Sequence, residues 1–457
     1  MATTLQFTHE ATLDRPRESQ SARTMAKLYF VTLWAIVFTG AVRKWISPGT
    51  TALYLLQDIP IGIAYFYAIW KGIFDRGYLL LGVVLLSAIL LLQGFFQIIV
   101  TGLNLFVALT GFHNYLFYLP MLVVFPLALT EKYRRQFIRW NLILSIPMCF
   151  LAVIQSLSPK GAWVNQTTGG DAAGVPGADV ARVSGTFNHV AFYGIWVGIA
   201  VALCMGEWLL PKERRVIQSP WLLVLCTFTV NLCHLVSASR SAILLGVSSI
   251  LGAAVAAIVL GSNRAILAIG GIFLLLPVAA GMTYVISPAE FNVVVERFSG
   301  GNGKADLMDR FEQGLIGFAT VPQFSLIGAG IGMGVDAAHV GNQDTYNFTY
   351  QLSEQDTIRN VMELGTPVGL LYVLTRMVFV FGMVLLSIWM VRNGSTPHVL
   401  PLSFLLLVQT YQDLTRAAAM TASQVMLGYA FILGVYYYPD AMTSLSPTAD
   451  DSLTRSA

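Results

Sequence analysis

Twelve apolar windows, joined mostly by short polar connectors, dominate the sequence and leave almost no room for a wetted surface. They fall near residues 27–42, 51–70, 78–100, 105–129, 140–157, 187–209, 219–237, 241–261, 265–287, 366–391, 399–414 and 421–438. A membrane-spanning helix needs about 20 apolar residues, and most of these windows supply that. Only 11% of the 457 residues are charged and 56% are hydrophobic, whereas a soluble domain carries about 25% charged residues. A water-soluble globule is excluded. The expected fold is an all-α polytopic membrane bundle of about 12 helices.

The expected organisation is a cytoplasmic tail at 1–26, helices one to nine over 27–287, an extracytoplasmic loop at 288–365, helices ten to twelve over 366–438, and a Ser/Thr/Asp-rich cytoplasmic tail at 439–457, expected to be disordered. The first 26 residues lack the charged, apolar and small-residue succession of a signal peptide. With the amino terminus inside, 16 of the 27 Lys and Arg fall on the inner side and 10 on the outer. Short loops obey this bias, so both termini are expected in the cytoplasm. Arg43 and Lys44 break the rule. They mark either a misplaced span boundary or an anchor for anionic lipid. The net charge of +3 gives no reason to expect nucleic acid as a partner. Four cysteines lie inside apolar runs without CxxC spacing, and the six histidines show no HxxxH or HExxH pattern. No metal and no cofactor are called for.

The one long polar stretch, 288–365, gathers Arg297, Arg310, Glu354, Asp356 and Arg359 beside apolar helices. Cations and carboxylates on one aqueous face next to lipid suit a substrate that is part lipid and part polar, such as a diphosphate-linked lipid. Five segments carry candidate chemistry. Arg182-Val-Ser-Gly-Thr-Phe-Asn-His189 enters span six, where Arg182 reads as a lipid-facing snorkel or a phosphate ligand, and His189 as a satisfied interfacial side chain. In Ser237-Ala-Ser-Arg240-Ser, a tight turn holds Arg240 at a helix start capped by Ser239. A cation is unfavourable there for the helix alone, but Arg and a helix N-terminus together suit an anion.

Ala305 to Val321 reads as an amphipathic helix with Leu307, Phe311, Leu315 and Phe318 on one face. On it, Arg310 pairs with Asp306 or faces substrate. Gly328-Ala-Gly-Ile-Gly-Met-Gly334 allows close backbone packing or approach to phosphate oxygens. Ser353-Glu-Gln-Asp356 reads as a capping box. In the helix it opens, Asp356–Arg359 and Arg359–Glu363 have ion-pair spacing. That helix is either merely well capped or presents a carboxylate base, Glu354, beside Arg359. Inside the spans, Asp58 and Arg376 need partners; each other, or Asp58 with Arg43, are the candidates.

The chain resembles the O-antigen ligase and O-antigen polymerase family of bacterial envelope glycosyltransferases. The resemblance rests on Arg182–Phe187, on Ser239–Arg240, on Gly328–Gly334, on Glu363-Leu-Gly365-Thr-Pro-Val-Gly369, and on the order of these segments among the spans. Ala41–Trp45 and Gln57–Pro60 resemble an exopolysaccharide-linked subgroup. The resemblance implies a GT-C-like helical fold in the bacterial inner membrane and a metal-independent transfer. The donor would be an oligosaccharide on undecaprenyl diphosphate and the acceptor a glycan hydroxyl. Membrane lipids and other polysaccharide assembly proteins would be further partners. Arg182, Arg240, Arg297 and Arg310 would hold the diphosphate, and Glu354 and Arg359 would serve catalysis. Family members usually place His-Asn where this chain has Glu354-Gln355, which leaves Arg359 or His339 to share the role. A transporter or flippase of lipid-linked sugars is the alternative, and polymerase and ligase share one donor.

Overall fold

A computed structural model describes residues 19–74, 77–168, 174, 180–237, 239–261, 277–299, 325–334, 356–412 and 419–439. Within them the fold is all-helical, with no strand beyond an isolated bridge between Gly174 and Ala181. The helices are α1 (Gln20–Ala41), α2 (Asp58–Lys71), α3 (Tyr78–Thr101), α4 (Leu105–Leu116), the short α5 (Met121–Val124), α6 (Glu131–Leu157), α7 (Val190–Leu209), α8 (Pro220–Val236) and α9 (Arg240–Leu260). They continue with α10 (Pro277–Ile286), α11 (Pro288–Ser299), α12 (Asp356–Leu364), α13 (Thr366–Arg392), α14 (Val399–Gln412) and α15 (Ala419–Tyr437).

Among the described residues, eight segments are long and apolar enough to cross a membrane, and α8, α10 and α14 are shorter apolar helices. Residues 262–276 of the ninth expected span and its approach, the expected amphipathic helix, residues 353–355 of the capping box, residues 1–18 and residues 440–457 lie outside the described residues, and 20–26 of the expected amino-terminal tail are the start of α1.

Helix boundaries follow local chemistry. The Ser219 and Ser239 hydroxyls accept from the third backbone N–H of α8 and α9. Gly72, Gly102 and Gly261 stop α2, α3 and α9 in the left-handed region. Two expected spans are not continuous helices. The second starts as a tight 3₁₀ segment (Thr51–Gln57) and becomes α-helical at Asp58, and the fourth breaks after Leu116 around Pro120 and Pro126.

Packing separates a buried centre from a lipid-exposed rim. The apolar window of α7 is 94% buried and that of α3 only 11%, so α7 is the helix the others surround. Gly194 meets Ala242, and Gly198 meets Leu245 and Leu405. Gly252 meets Leu400, Pro401 and Phe404. These small residues let α7, α9 and α14 approach closely without a hydrophobic driving force between helices in lipid. The contacts also sort the helix ends. The starts of α7 and α9, the 182–188 segment, the end of α14 and α12 gather at one end. At the other, Arg134 donates to the Leu129, Gly434 and Tyr438 carbonyls, Arg135 to Arg214 and Arg215, and Glu207 accepts from the Ile217 N–H and bonds His398. An up-and-down path requires such sorting.

Candidate functional site

The Arg240 end is built from four pieces. The first is the turn between α8 and α9. Ser237 Oγ donates to the His234 carbonyl and accepts from the Ser239 N–H, and Ser239 caps α9. Arg240 is therefore the first residue of α9, half-buried on a rigid turn, as its sequence predicts.

The second piece is the 182–188 segment, where Arg182 is half-buried. Its backbone is fixed from three sides. Gln155 accepts from the Gly185 N–H at 2.8 Å and donates to the Gly185 carbonyl at 3.2 Å. Thr186 Oγ1 donates to the Val37 carbonyl at 2.6 Å. Gly40 leaves no space for a Cβ against the 186–188 backbone. His189 caps α7, its Nδ1 accepting from the Ala191 N–H, which is the satisfied role expected of it.

Lys44 is the third piece. It lies on a π-helical turn (Val42–Ile46), is 1% exposed, and donates to Ser184 Oγ at 3.1 Å and the Gly185 carbonyl at 2.7 Å.

The fourth piece is a buried ionic network where α12 meets α13. Asp356 accepts from Arg359 and, at 2.6 Å, from Arg376. Arg359 Nε lies 3.6 Å from Glu363 Oε1. Arg376 also donates to the Thr410 carbonyl at 2.6 Å, tying α13 to α14. Tyr115 of α4 donates to Asn360 at 2.6 Å and Glu363 at 2.8 Å. Burial raises the Glu363 carboxyl above its ordinary value, while Arg359, Tyr115 and two backbone N–H groups pull it down.

Those two N–H groups belong to the glycine run. Gly332 and Gly334 donate to the two Glu363 carboxylate oxygens at 3.2 and 2.7 Å. Gly328, Gly330 and Gly332 have positive φ, and a Cβ at Gly332 would meet the Val107 carbonyl and Gly111. Close packing, one of the two readings of this run, is realised, and the anion its N–H groups receive is the chain's own carboxylate. Gln97 donates to the Ile327 and Glu363 carbonyls and accepts from Ile331, and Gln93 donates to the Ile327 and Leu364 carbonyls. The sequence reading passed over these glutamines. Their signal was two amides four residues apart in a span of mean hydropathy 2.5.

The expected i,i+3 and i,i+4 pairs of Arg359 both form, but in the interior. Arg359 is 2% exposed, with two carboxylates against it. Neither pairing expected for Asp58 and Arg376 forms. Arg376 takes Asp356, while Asp58 takes His113 Nε2 at 3.0 Å and the Tyr118 hydroxyl at 2.6 Å. Arg43 instead lies over the Tyr54 ring. Asp58 is the first residue of α2 and lies about two turns into the expected span, which the chain enters as a 3₁₀ segment. Arg297 lies on α11. Glu354, Arg310 and His339 lie outside the described residues. Among the described residues no group of three His, Cys, Asp or Glu is arranged to hold a metal. Comparison with protein-family models, with curated proteins and with solved structures gives no match to this chain.

Proposed function

We propose that this chain is a membrane glycosyltransferase of about twelve spans. It would move a glycan from undecaprenyl diphosphate to an acceptor sugar hydroxyl during exopolysaccharide or O-antigen assembly in the bacterial cell envelope, as polymerase or ligase. One observation carries the reading. Arg182 and Arg240 are half-buried at one end of an apolar bundle, Arg182 in the segment that leads into α7 and Arg240 as the first residue of α9, and these two helices pack together through Gly194 and Ala242. Guanidinium groups match phosphate oxygens bidentately, and a preformed cationic site at a lipid boundary stabilises a departing diphosphate more than water does. The acceptor oxygen would bond to the anomeric carbon as the carbon–oxygen bond to diphosphate breaks. The leaving group keeps the electron pair and the acceptor's proton passes to a base. Glu354 remains the proposed base, with Arg297 or Arg310 completing the diphosphate site.

The transport alternative has an observation of its own. Asp58 and His113 form an ionisable pair within apolar helices, a placement common in proton-coupled carriers. One experiment separates the readings. Purified protein is incubated with undecaprenyl-diphosphate oligosaccharide and EDTA. Glycan growth, or transfer to an added acceptor, is expected. No product, together with translocation of the lipid in sealed vesicles, overturns the transferase reading.

A further inference from the structure

Just past the end of α1, a buried lysine faces no carboxylate among the described residues. This lysine, Lys44, is 1% exposed. Its ammonium has three N–H donors, and two are accounted for by Ser184 Oγ and the Gly185 carbonyl. Its remaining polar neighbour is the face of the Trp45 ring, 4.9 Å away. Buried charges in proteins are paired, because removing an ion from water without a partner is strongly unfavourable.

A second donor on the same turn is also left over. The Trp45 Nε1–H is buried and has no hydrogen-bond partner among the described residues. Both side chains belong to one π-helical turn, Val42–Ile46, and such turns recur at functional sites. The turn is rigidly seated: Gln155 holds Gly185 from both sides of its peptide, and Trp45 packs on Trp163 with ring centroids 5.6 Å apart. It is also close to the surface. Trp163 is 61% and Ile46 76% exposed. Arg43 on the same turn, and Arg182 two residues before Ser184, add positive charge.

We propose that Lys44 and Trp45 form an oxyanion-binding site for a phosphate group, with the Lys44 ammonium supplying the charge and the Trp45 Nε1–H a second donor. The positive pair that breaks the inside rule at residues 43–44 is then kept by a ligand. The site does not depend on glycosyl transfer. The phosphate can come from a diphosphate or from a lipid headgroup, and the test distinguishes the two.

The full chain is purified in a neutral detergent and its thermal unfolding followed with and without inorganic pyrophosphate. In parallel, it is placed in phosphatidylcholine nanodiscs with and without phosphatidylglycerol. A ligand that binds only the folded state raises Tm with its concentration. Wild type is expected to respond to at least one probe. Lys44→Met should weaken that response about tenfold or more, as loss of one charge-assisted bond predicts, whatever its own basal Tm. Trp45→Phe keeps the ring, removes only the N–H, and should weaken the response by a smaller factor. A response to pyrophosphate identifies a diphosphate source, and one confined to phosphatidylglycerol identifies a lipid headgroup. The proposal is overturned if wild type responds to neither probe. It is equally overturned if Lys44→Met responds as wild type does, for then Lys44 is a neutral structural donor. Should Lys44→Met not fold, an unchanged response in Trp45→Phe overturns the second donor and with it the site.

Discussion

Two polar clusters occupy the same end of the bundle and have opposite electrostatic characters. At the junction of α12 and α13, Asp356 and Glu363 face Arg359 and Arg376, so the formal charges cancel. The glycine run and Tyr115 add donors to the Glu363 carboxylate, and Arg376 Nε has no hydrogen-bond partner among the described residues. Past the end of α1, Lys44 has a hydroxyl, a carbonyl and a ring face but, among the described residues, no carboxylate. A closed network can be buried at little net electrostatic cost only while every member is present. An open one is tolerated where something outside the chain completes it. The first cluster is architecture and the second a place for a ligand. Arg359 belongs with structure, whereas Arg240 begins α9 at the bundle's end and Arg182 lies in the segment leading into α7.

The comparison breaks most easily at the closed cluster. Asp356→Asn strands Arg376 in the interior and leaves Arg359 with Glu363 as its remaining carboxylate. Removing one partner of a buried pair is expected to destabilise by about 3–5 kcal/mol, seen as a large fall in Tm or loss of folded protein in detergent. Adding Arg376→Met to that variant should recover part of the loss. A double variant no more stable than the single would show that the network is not closed. Next in size is Gly332→Ala. At φ +90° and against the Val107 carbonyl, any Cβ is strained, and a loss of about 1–3 kcal/mol is expected from unfolding measurements.

Glu363 sharpens the point through pH. Its folded-state value is raised by burial, so the stability linked to its protonated form is present below the unfolded value near 4.5 and is lost as pH rises through the folded value. Relative to wild type, Glu363→Gln should therefore look worst in acid and improve as pH rises. A difference in Tm that is flat with pH would remove Glu363 from the titrating groups.

The smallest stability effect belongs to Arg240→Ala. A cation in the first turn opposes the helix dipole, so its removal should leave stability unchanged or raise it by about 0.3–1 kcal/mol, while glycan transfer falls tenfold or more. Equal losses of Tm and transfer would make Arg240 structural.

Much of this was legible in the sequence. Hydropathy located the helices because lipid forces each backbone to satisfy its own hydrogen bonds, leaving helix as the local answer. Ser239 and Gly261 declared the limits of α9 for equally local reasons. The ion-pair spacing of Asp356, Arg359 and Glu363 could also be read directly, since helix geometry fixes which residues face each other.

What the sequence could not give was which partner each buried charge takes. Asp58 and His113 are 55 positions apart, Asp356 and Arg376 are 20, and Gln97 reaches a glycine run more than 200 residues away. Such pairs depend on how helices pack, and in lipid that packing is set by small residues and surface fit over many contacts, which no local pattern records. The sequence alone determined that the chain is a bundle of apolar helices carrying an arginine-bearing polar stretch. Only the tertiary structure decided which buried charges neutralise one another and that Lys44, far from that stretch, faces no carboxylate among the described residues, because charge compensation is a property of distance in space and not of order along the chain.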